Sequence, residues 1–267
     1  MVKLGLHPAI WNTGTPEAWR TALQEMDEVG WDGFEYSTGG VKDLQQFKES
    51  LKGTALAVSG LYNGATYTDP EKWPQEMERL VHAAGLCAEL GHAVMVLDGG
   101  RWKLEGNTKE EVKIIAERCN QVGAMAKTKG VQASWHQHWA SMFEVEELFY
   151  LLMELTDPNL LHCTAETGQM AISWFDLPKA FRTFARRMSY VHFKDVDRNR
   201  RFIELGRGTV DFPTLWEIMK ESGFDGWIVV DLDYTSLPPK ESAAVQLRYF
   251  NEALGIPAAR SQTKEAT

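Results

Sequence analysis

Eight short apolar runs recur along the chain, and the longer stretches between them repeat apolar residues with helical spacing. The runs lie at about 3–8, 31–36, 54–62, 93–98, 131–135, 160–165, 189–193 and 227–231. Strand-like runs that alternate with helical stretches predict parallel strands joined by right-handed crossovers. Eight such units can close into a barrel, so the pattern predicts an α/β fold made of a single (β/α)8 TIM barrel.

Capping residues and prolines mark where the predicted helices begin. They stand at Thr15 with Pro16, Asp69 with Pro70, Thr108 with Glu111, Asp176 with Pro178 and Asp211 with Pro213. Glycines at 30, 53, 91, 130 and 223 are placed to end the preceding helices. No linker rich in Pro, Gly or Ser divides the chain. We therefore expect one barrel domain over residues 1–256 and a flexible tail over 257–267.

The composition limits the classes of partner and compartment. The formal charge of −9, from 37 acidic and 28 basic residues, leaves no basic footprint for a nucleic acid. No apolar run approaches transmembrane length and no signal segment opens the chain, so we expect no membrane partner and a cytoplasmic location. Cys87, Cys119 and Cys163 form no CxxC unit and are expected to be buried, inert thiols.

Four polar residues lie at or just past the ends of the last four runs: His136, Glu166, His192 and Asp231. In a barrel of alternating strands and helices, these strand ends converge on one mouth. Two imidazoles and two carboxylates brought together there would suit a divalent metal ion. A metal site at the mouth is therefore the first functional hypothesis.

Side-chain alternation adds His138 and Lys194 to the candidate site. Along an extended segment, His136 and His138 point to one side, and His192 and Lys194 share a face. A lysine beside a polarised carbonyl would stabilise oxyanion charge or shuttle a proton. The alternative for Lys194 is a surface pair with Asp195.

Asp231 and Asp233 give the strongest local argument for a metal. Two carboxylates at the end of an apolar strand are costly to bury unless a cation meets them. Glu35 and His7, at the ends of the first two strands, would contact substrate hydroxyls or be satisfied structural residues. Trp11, one of ten tryptophans, would stack on a sugar ring or pack in the core.

Several stretches resemble the xylose isomerase-like TIM-barrel superfamily of sugar-phosphate isomerases, epimerases and dehydratases, and most closely the inosose dehydratases. The likeness runs over nearly the whole chain. Its most specific stretches are His136-Gln-His138, Val191-His-Phe-Lys-Asp-Val196 and Leu205-Gly-Arg-Gly-Thr-Val-Asp-Phe212. The resemblance implies a divalent ion, Mn²⁺ first, with Co²⁺, Zn²⁺ or Mg²⁺ as alternatives. Its ligands would be His136 or a near neighbour, Glu166, His192 and Asp231.

Three positions depart from the pattern of that superfamily. It usually has Asp where Glu166 stands, Glu where Asp231 stands, and often His where Gln169 stands. One carboxylate side chain is thus longer by a methylene and the other shorter. We expect the metal to be retained, shifted toward the eighth strand, because Mn²⁺ accepts carboxylate and imidazole together. Loss of the metal or a changed substrate is the alternative.

The predicted chemistry is enolisation next to the carbonyl of a keto-polyol or keto-sugar. His138 or Lys194 would remove the proton, Glu35 would complete the catalytic set, and His7, Trp11 and Asp233 would bind substrate. Dehydration by a lyase is favoured, and keto-sugar isomerisation or epimerisation is the near alternative. A metal-free sugar-binding or partner-dependent subunit is the alternative from another class. A homo-oligomer is possible for any of them.

Overall fold

Eight strands pair side by side and in parallel in the computed structural model, which describes residues 1–99, 107–139 and 141–260. They are β1 (Lys3–Leu6), β2 (Gly33–Ser37), β3 (Ala57–Ala65), β4 (Val94–Gly99), β5 (Ala133–His136), β6 (Leu161–Thr164), β7 (Tyr190–Phe193) and β10 (Trp227–Val230). Their hydrogen-bonded order is β6-β5-β4-β3-β2-β1-β10-β7. A small antiparallel ribbon, β8 (Asp195–Val196) with β9 (Phe202–Ile203), follows β7.

The two ends of this sheet, β6 and β7, meet through a few backbone contacts. Glu166 and His192 form an isolated parallel bridge, and the His192 N–H donates to the Ala165 carbonyl at 2.9 Å. The Thr167 hydroxyl accepts from the Lys194 N–H and donates to the Lys194 carbonyl, each at 2.8 Å. These contacts bring the sheet round on itself, and the predicted (β/α)8 barrel is confirmed.

The helices cover the outside of the barrel. Their bounds are α1 (Pro16–Val29), α2 (Leu44–Ser50), α3 (Trp73–Glu89), α4 (Lys109–Thr128), α5 (Glu146–Leu155), α6 (Thr167–Ile172), α7 (Leu177–Phe184), α8 (Phe212–Glu221) and α9 (Pro239–Ala253). Four predicted caps are present, at Thr15, Thr108, Asp176 and Asp211. The helix predicted to begin at Asp69 and Pro70 begins later, because the Asp69 carboxylate accepts the Glu71 and Lys72 N–H groups in a preceding turn.

Apolar side chains pack in two regions on either side of the strands. The larger core lies mainly between the strands and the surrounding helices. A smaller cluster of Val94, Val96, Tyr190 and Val229 belongs to the barrel interior. All three cysteines are buried and free, and burial raises the pKa of Cys87 and Cys163 to about 12.

The first part of the predicted tail is attached to the barrel. The backbone N–H groups of Ala259 and Arg260 each donate to the Asp32 carboxylate at 2.9 Å, and Ala258 is buried. Residues 261–267 lie outside the described residues, so a flexible tail and the domain limit at 256 stay predictions. Among the described helices, none has the length and apolar character to cross a bilayer.

Candidate active site at the carboxyl end of the barrel

Three of the four predicted ligands converge at the mouth of the barrel. His136 ends β5, His192 lies in β7, and Asp231 follows β10. One nitrogen or oxygen atom of each lies within 4.8 Å of the others. The rings of His136 and His192 are 4.8 Å apart between centroids. The carboxyl ends of β5, β7 and β10 therefore bring two imidazoles and a carboxylate together, as the strand pattern predicted.

The imidazoles in this cluster have unpaired nitrogens. Both ring nitrogens of His136 and Nδ1 of His192 are buried and have no hydrogen-bond partner among the residues that the structure describes. Burial, followed by the neighbouring His192, holds the pKa of His136 well below its usual value, so its ring is neutral. Buried polar atoms are rarely left without a partner. Burial opposes the charged form of His192, but Glu35 raises its pKa above the usual value, so a cation would compete with a proton at Nδ1. Two imidazoles and a carboxylate fit a divalent ion, whose catalytic sites commonly use three protein ligands.

Lys194 supplies a positive charge beside Asp231 and Asp233, where the sequence pattern predicted a metal ion alone. Its ammonium group lies 3.1 Å from Asp231 Oδ2 and 3.0 Å from Asp233 Oδ2. Burial opposes the charged form, but Asp231 and then Glu166 raise the pKa of Lys194 above its usual value. Burial likewise opposes ionisation of Asp231, but Lys194 holds its pKa far below the usual range. The paired carboxylates are therefore weaker evidence for a metal than the sequence suggested.

The alternative pairing of Lys194 with Asp195 is wrong, because Asp195 has other partners. Its carboxylate accepts backbone N–H groups from Val196, Gly206, Gly208 and Val210 at 2.8–3.1 Å. A Cβ atom on Gly208 would lie 2.3 Å from Asp195 Oδ1. The glycine-rich stretch after β9 is thus a backbone cradle for one carboxylate.

Glu166 is buried beside the cluster but is not among its three convergent ligands. Its Oε2 accepts the Gln169 N–H at 2.8 Å and caps α6, while Oε1 is buried with no partner in the described part of the chain. Burial raises the pKa of Glu166 to about 7, and the charge of Lys194 limits the rise. The carboxylate therefore caps a helix with one oxygen and leaves the other available. Its predicted role as a metal ligand stays a prediction.

His138 lies near His136, with 5.8 Å between ring centroids, but both of its nitrogens are engaged. Nδ1 is 2.6 Å from the Trp139 carbonyl, so it carries the proton, and Nε2 is 3.3 Å from the Gln169 side-chain nitrogen. Gln169 also accepts the Trp139 N–H through Oε1 at 3.2 Å. Gln169, which stands where the superfamily often has His, therefore occupies the lone pair of His138. This contact argues against the prediction that His138 acts as a free base.

The remaining predicted residues divide between the mouth and the core. His7 Nδ1 lies 4.0 Å from Asp231 Oδ1, at the edge of the cluster. Glu35 is enclosed in the barrel and pairs with His192 Nε2 at 2.9 Å. Trp11 is buried, and its indole N–H donates to Glu25 on α1 at 2.6 Å. Thus His7 joins the site directly, Glu35 joins it through His192, and Trp11 belongs to the packing around α1.

Sequence reasoning missed Tyr62 and Asp98. The Tyr62 hydroxyl donates to Asp98 Oδ2 at 2.5 Å, and its ring meets that of His136 edge-on at 6.0 Å. Burial raises the pKa of Tyr62, and Asp98 adds to the rise. Burial also raises the pKa of Asp98. The available signal was position, because both residues end predicted strands, at 54–62 and 93–98.

Comparisons with known proteins agree on the family and the fold. A family model described as xylose isomerase-like TIM barrel matches residues 23–253. An inosose dehydratase of Lacticaseibacillus casei is 27% identical over 293 residues, covering 96% of this chain and 98% of that protein. An L-ribulose 3-epimerase structure, 18% identical, covers 100% of this chain and 98% of its own with a TM-score of 0.81.

A solved structure of the IOLI protein with a bound zinc atom has the same fold. It is 14% identical, with a TM-score of 0.77, and covers 95% of this chain and 98% of its own. At this identity the structural likeness concerns the fold alone. The family model matches most of the sequence, and this match establishes the family as well as the fold. The chain belongs to the xylose isomerase-like TIM barrel family.

Proposed function

We propose that the protein is a divalent-metal-dependent enzyme that enolises a keto-polyol or keto-sugar next to its carbonyl, and that it acts as an inosose-type dehydratase. The observation that carries the proposal is the set of unpaired, buried imidazole nitrogens that converges with Asp231 at the mouth. The inosose dehydratases at 24–27% identity over 96% of the chain support the substrate class.

The ion would be held by His136, His192 and Asp231, with Glu166 nearby. When bound, a divalent ion polarises a substrate carbonyl and makes the adjacent C–H more acidic. Two imidazoles with one carboxylate suit Zn²⁺ and Co²⁺ as well as Mn²⁺. The zinc-bound fold neighbour is consistent with that choice. Manganese stays a prediction from the resemblance.

Side chains of the protein itself would accept the substrate proton and supply positive charge to the site. Removal of the C–H proton needs an acceptor with a free lone pair, and Glu166 Oε1 has one in the described structure. The ammonium of Lys194 already donates to Asp231 and Asp233, so it supplies positive charge to the site. His7, at the edge of the cluster, would contact a substrate hydroxyl.

Epimerisation is the second candidate, and the Tyr62–Asp98 pair is the observation that favours it. An epimerase needs a second proton carrier to return the proton on the other face of the carbon. Tyr62 and Asp98 lie on β3 and β4, on a different part of the barrel wall from Glu166. Removal of the proton beside the carbonyl is the first step of both reactions.

Metal analysis combined with solvent exchange tests the proposal. We expect purified protein to carry, or to take up, a stoichiometric divalent ion. NMR in deuterated water should then show exchange of the proton beside the carbonyl of a keto-inositol or keto-sugar. A vinylic product indicates dehydration, and an inverted centre indicates epimerisation. His162→Gln, at a histidine on β6 outside the cluster, is the control for His136→Gln. Absence of both metal uptake and exchange would overturn the proposal and favour a metal-free binding subunit.

A further inference from the structure

A line of four buried polar side chains crosses the inside of the barrel to reach the candidate metal site. Ser59 lies on β3, Glu35 on β2, and Tyr190 and His192 on β7, each with at most 1% of its surface exposed. The Tyr190 hydroxyl is 2.9 Å from Ser59 Oγ and 2.8 Å from Glu35 Oε2. The same Glu35 oxygen is 2.9 Å from His192 Nε2. Because β7 is four places from β3 in the strand order, the line spans the barrel.

Gly60 makes room for the tyrosine in this line. A Cβ atom at position 60 would lie 2.6 Å from the Tyr190 hydroxyl and 3.2 Å from the Val94 carbonyl. Only a residue without a side chain therefore lets Tyr190 reach across to Glu35. The small residue on β3 and the large one on β7 are complementary in volume.

With Glu35 ionised, the hydrogen bonds assign a proton to one atom of each of its partners. An ionised carboxylate oxygen only accepts, so Glu35 Oε2 takes the single Tyr190 O–H and the His192 Nε2–H. Ser59 must then donate to Tyr190. With its proton on Nε2, a neutral His192 has its lone pair on Nδ1. That atom is unpaired and lies 3.8 Å from Asp231 Oδ2.

Packing and stability alone do not explain why a carboxylate is buried inside the barrel at position 35. The interiors of such barrels are filled mainly by branched apolar side chains, and Val94, Val96 and Val229 do so here. A buried carboxylate costs free energy unless its partners compensate for lost hydration. An apolar residue would fill the position of Glu35 without that cost. The side chain that gains a fixed hydrogen-bond partner at the mouth from this carboxylate is His192.

We propose that Glu35, supported by Tyr190 and Ser59, is a positioning residue that fixes the ring and the tautomer of His192, so that Nδ1 is the atom presented to a ligand at the mouth. Partners of this kind orient metal-binding histidines and raise their basicity. The inference rests on the proposed function, because the ligand concerned is the divalent ion. It assigns Glu35 a role through His192 instead of direct contact with substrate.

Zinc titration of metal-free protein against a competing chelator tests this role. Glu35→Leu removes the acceptor, and we expect zinc affinity to fall about 10–100-fold. Glu35→Gln keeps an acceptor oxygen at the same reach and should restore part of the affinity. Glu204→Leu is the matched control, because Glu204 is a buried carboxylate bonded to Thr235 and Ser242, apart from this line. Its zinc affinity should equal that of the wild type.

NMR of ¹⁵N-histidine in the metal-free protein gives a second readout. At alkaline pH, His192 should carry its proton on Nε2 in the wild type and lose that preference in Glu35→Leu. If Glu35→Leu fails to fold, Tyr190→Phe replaces it, with a smaller loss of affinity expected. A folded Glu35→Leu protein with unchanged zinc affinity and an unchanged His192 tautomer would overturn the inference. If wild-type protein binds none of zinc, cobalt and manganese, the proposed function fails, while the tautomer spectrum still decides the role of Glu35.

Discussion

At the scale of single residues, the charge balance of the mouth depends on Lys194. Its side chain is buried, and its ammonium group contacts two carboxylates, of which Asp231 is largely buried and Asp233 is half exposed. Removing one partner of a buried ion pair leaves the other charge in a poorly solvated position. The two carboxylates should therefore respond differently to loss of their shared cation.

Lys194→Met should destabilise the protein by about 3 kcal/mol, because Asp231 loses its nearest cation. Asp233→Asn removes a half-exposed partner and should cost much less. Urea unfolding of both variants, followed by tryptophan fluorescence, measures the difference. Equal losses in the two variants would contradict the unequal burial of the two carboxylates. Added zinc should recover part of the loss in Lys194→Met if the ion binds Asp231.

Gly60→Ala should destabilise the fold by about 1–3 kcal/mol, the usual cost of overpacking a close-packed interior. The added methyl group would lie 2.6 Å from the Tyr190 hydroxyl. Gly64→Ala is the matched control on the same strand, because a Cβ atom there comes no closer than 4.0 Å to its neighbours. Chemical denaturation compares the two. If Gly64→Ala costs as much as Gly60→Ala, contact with Tyr190 is not the cause.

His162 should make the fold less stable in mild acid. Burial, and then the charge of Arg187, lower the pKa of His162 below its usual 6.5 in the folded chain. The unfolded chain therefore binds the proton more readily, and stability falls as the pH drops below 6.5 toward the lowered value. His162→Gln should show a smaller fall in unfolding free energy between pH 7.5 and pH 5.5, as measured by urea titration at each pH. A parallel fall in both proteins would contradict this contribution.

Side-chain alternation predicted several residue positions, but it did not predict partners. It placed His136 with His138 and His192 with Lys194, as observed. The partner of Lys194 depends on how far its four-carbon side chain extends toward β10. The spacing of residues along one strand gives no information about that reach. For the same reason the sequence pattern did not predict the pairing of Glu35 on β2 with His192 on β7, because β1 and β10 lie between these strands.

At the scale of elements, strand ends and helix starts were the best predicted features. Strand β3 is the instructive exception, because it continues to Ala65 while its apolar run ends at 62. Its last residues pair with β4 up to Gly99 through backbone bonds, which do not depend on side-chain polarity. In this register Gly64 of the extension lies opposite Asp98, while Tyr62 lies opposite Val96 and reaches Asp98 through its side chain.

Asp211→Ala should cost about 1 kcal/mol of stability, the usual price of losing a helix N-cap. Its carboxylate accepts the Thr214 N–H at 3.1 Å and the Thr214 hydroxyl at 2.7 Å at the start of α8. Asp211→Asn retains the cap and is the control. Thermal unfolding by circular dichroism compares them, and an alanine variant as stable as the asparagine variant would exclude a capping role.

At the scale of the whole molecule, metal binding and folding should be linked. The three convergent ligands come from β5, β7 and the segment after β10, so an ion would join distant parts of the chain. A ligand that binds only the folded state adds about 2.7 kcal/mol of stability at 100 times its Kd. Zinc should therefore raise the Tm of the wild type, as measured by scanning calorimetry. Chelation should reverse the rise, and His136→Gln should show little of it. An equal rise in His136→Gln would place the ion elsewhere.

The bridge between Glu166 and His192 has a practical consequence for kinetics. Through its backbone, Glu166 belongs to the contact where the first and last strands of the sheet order meet, and its side chain also caps α6. Alanine at this position would keep the backbone bridge but would remove the cap of α6 beside it as well as the carboxylate. A low activity of Glu166→Ala would therefore not distinguish a disturbed structure from the loss of a catalytic carboxylate. Glu166→Gln, which keeps an oxygen for the Gln169 N–H, is the substitution that isolates the chemical contribution.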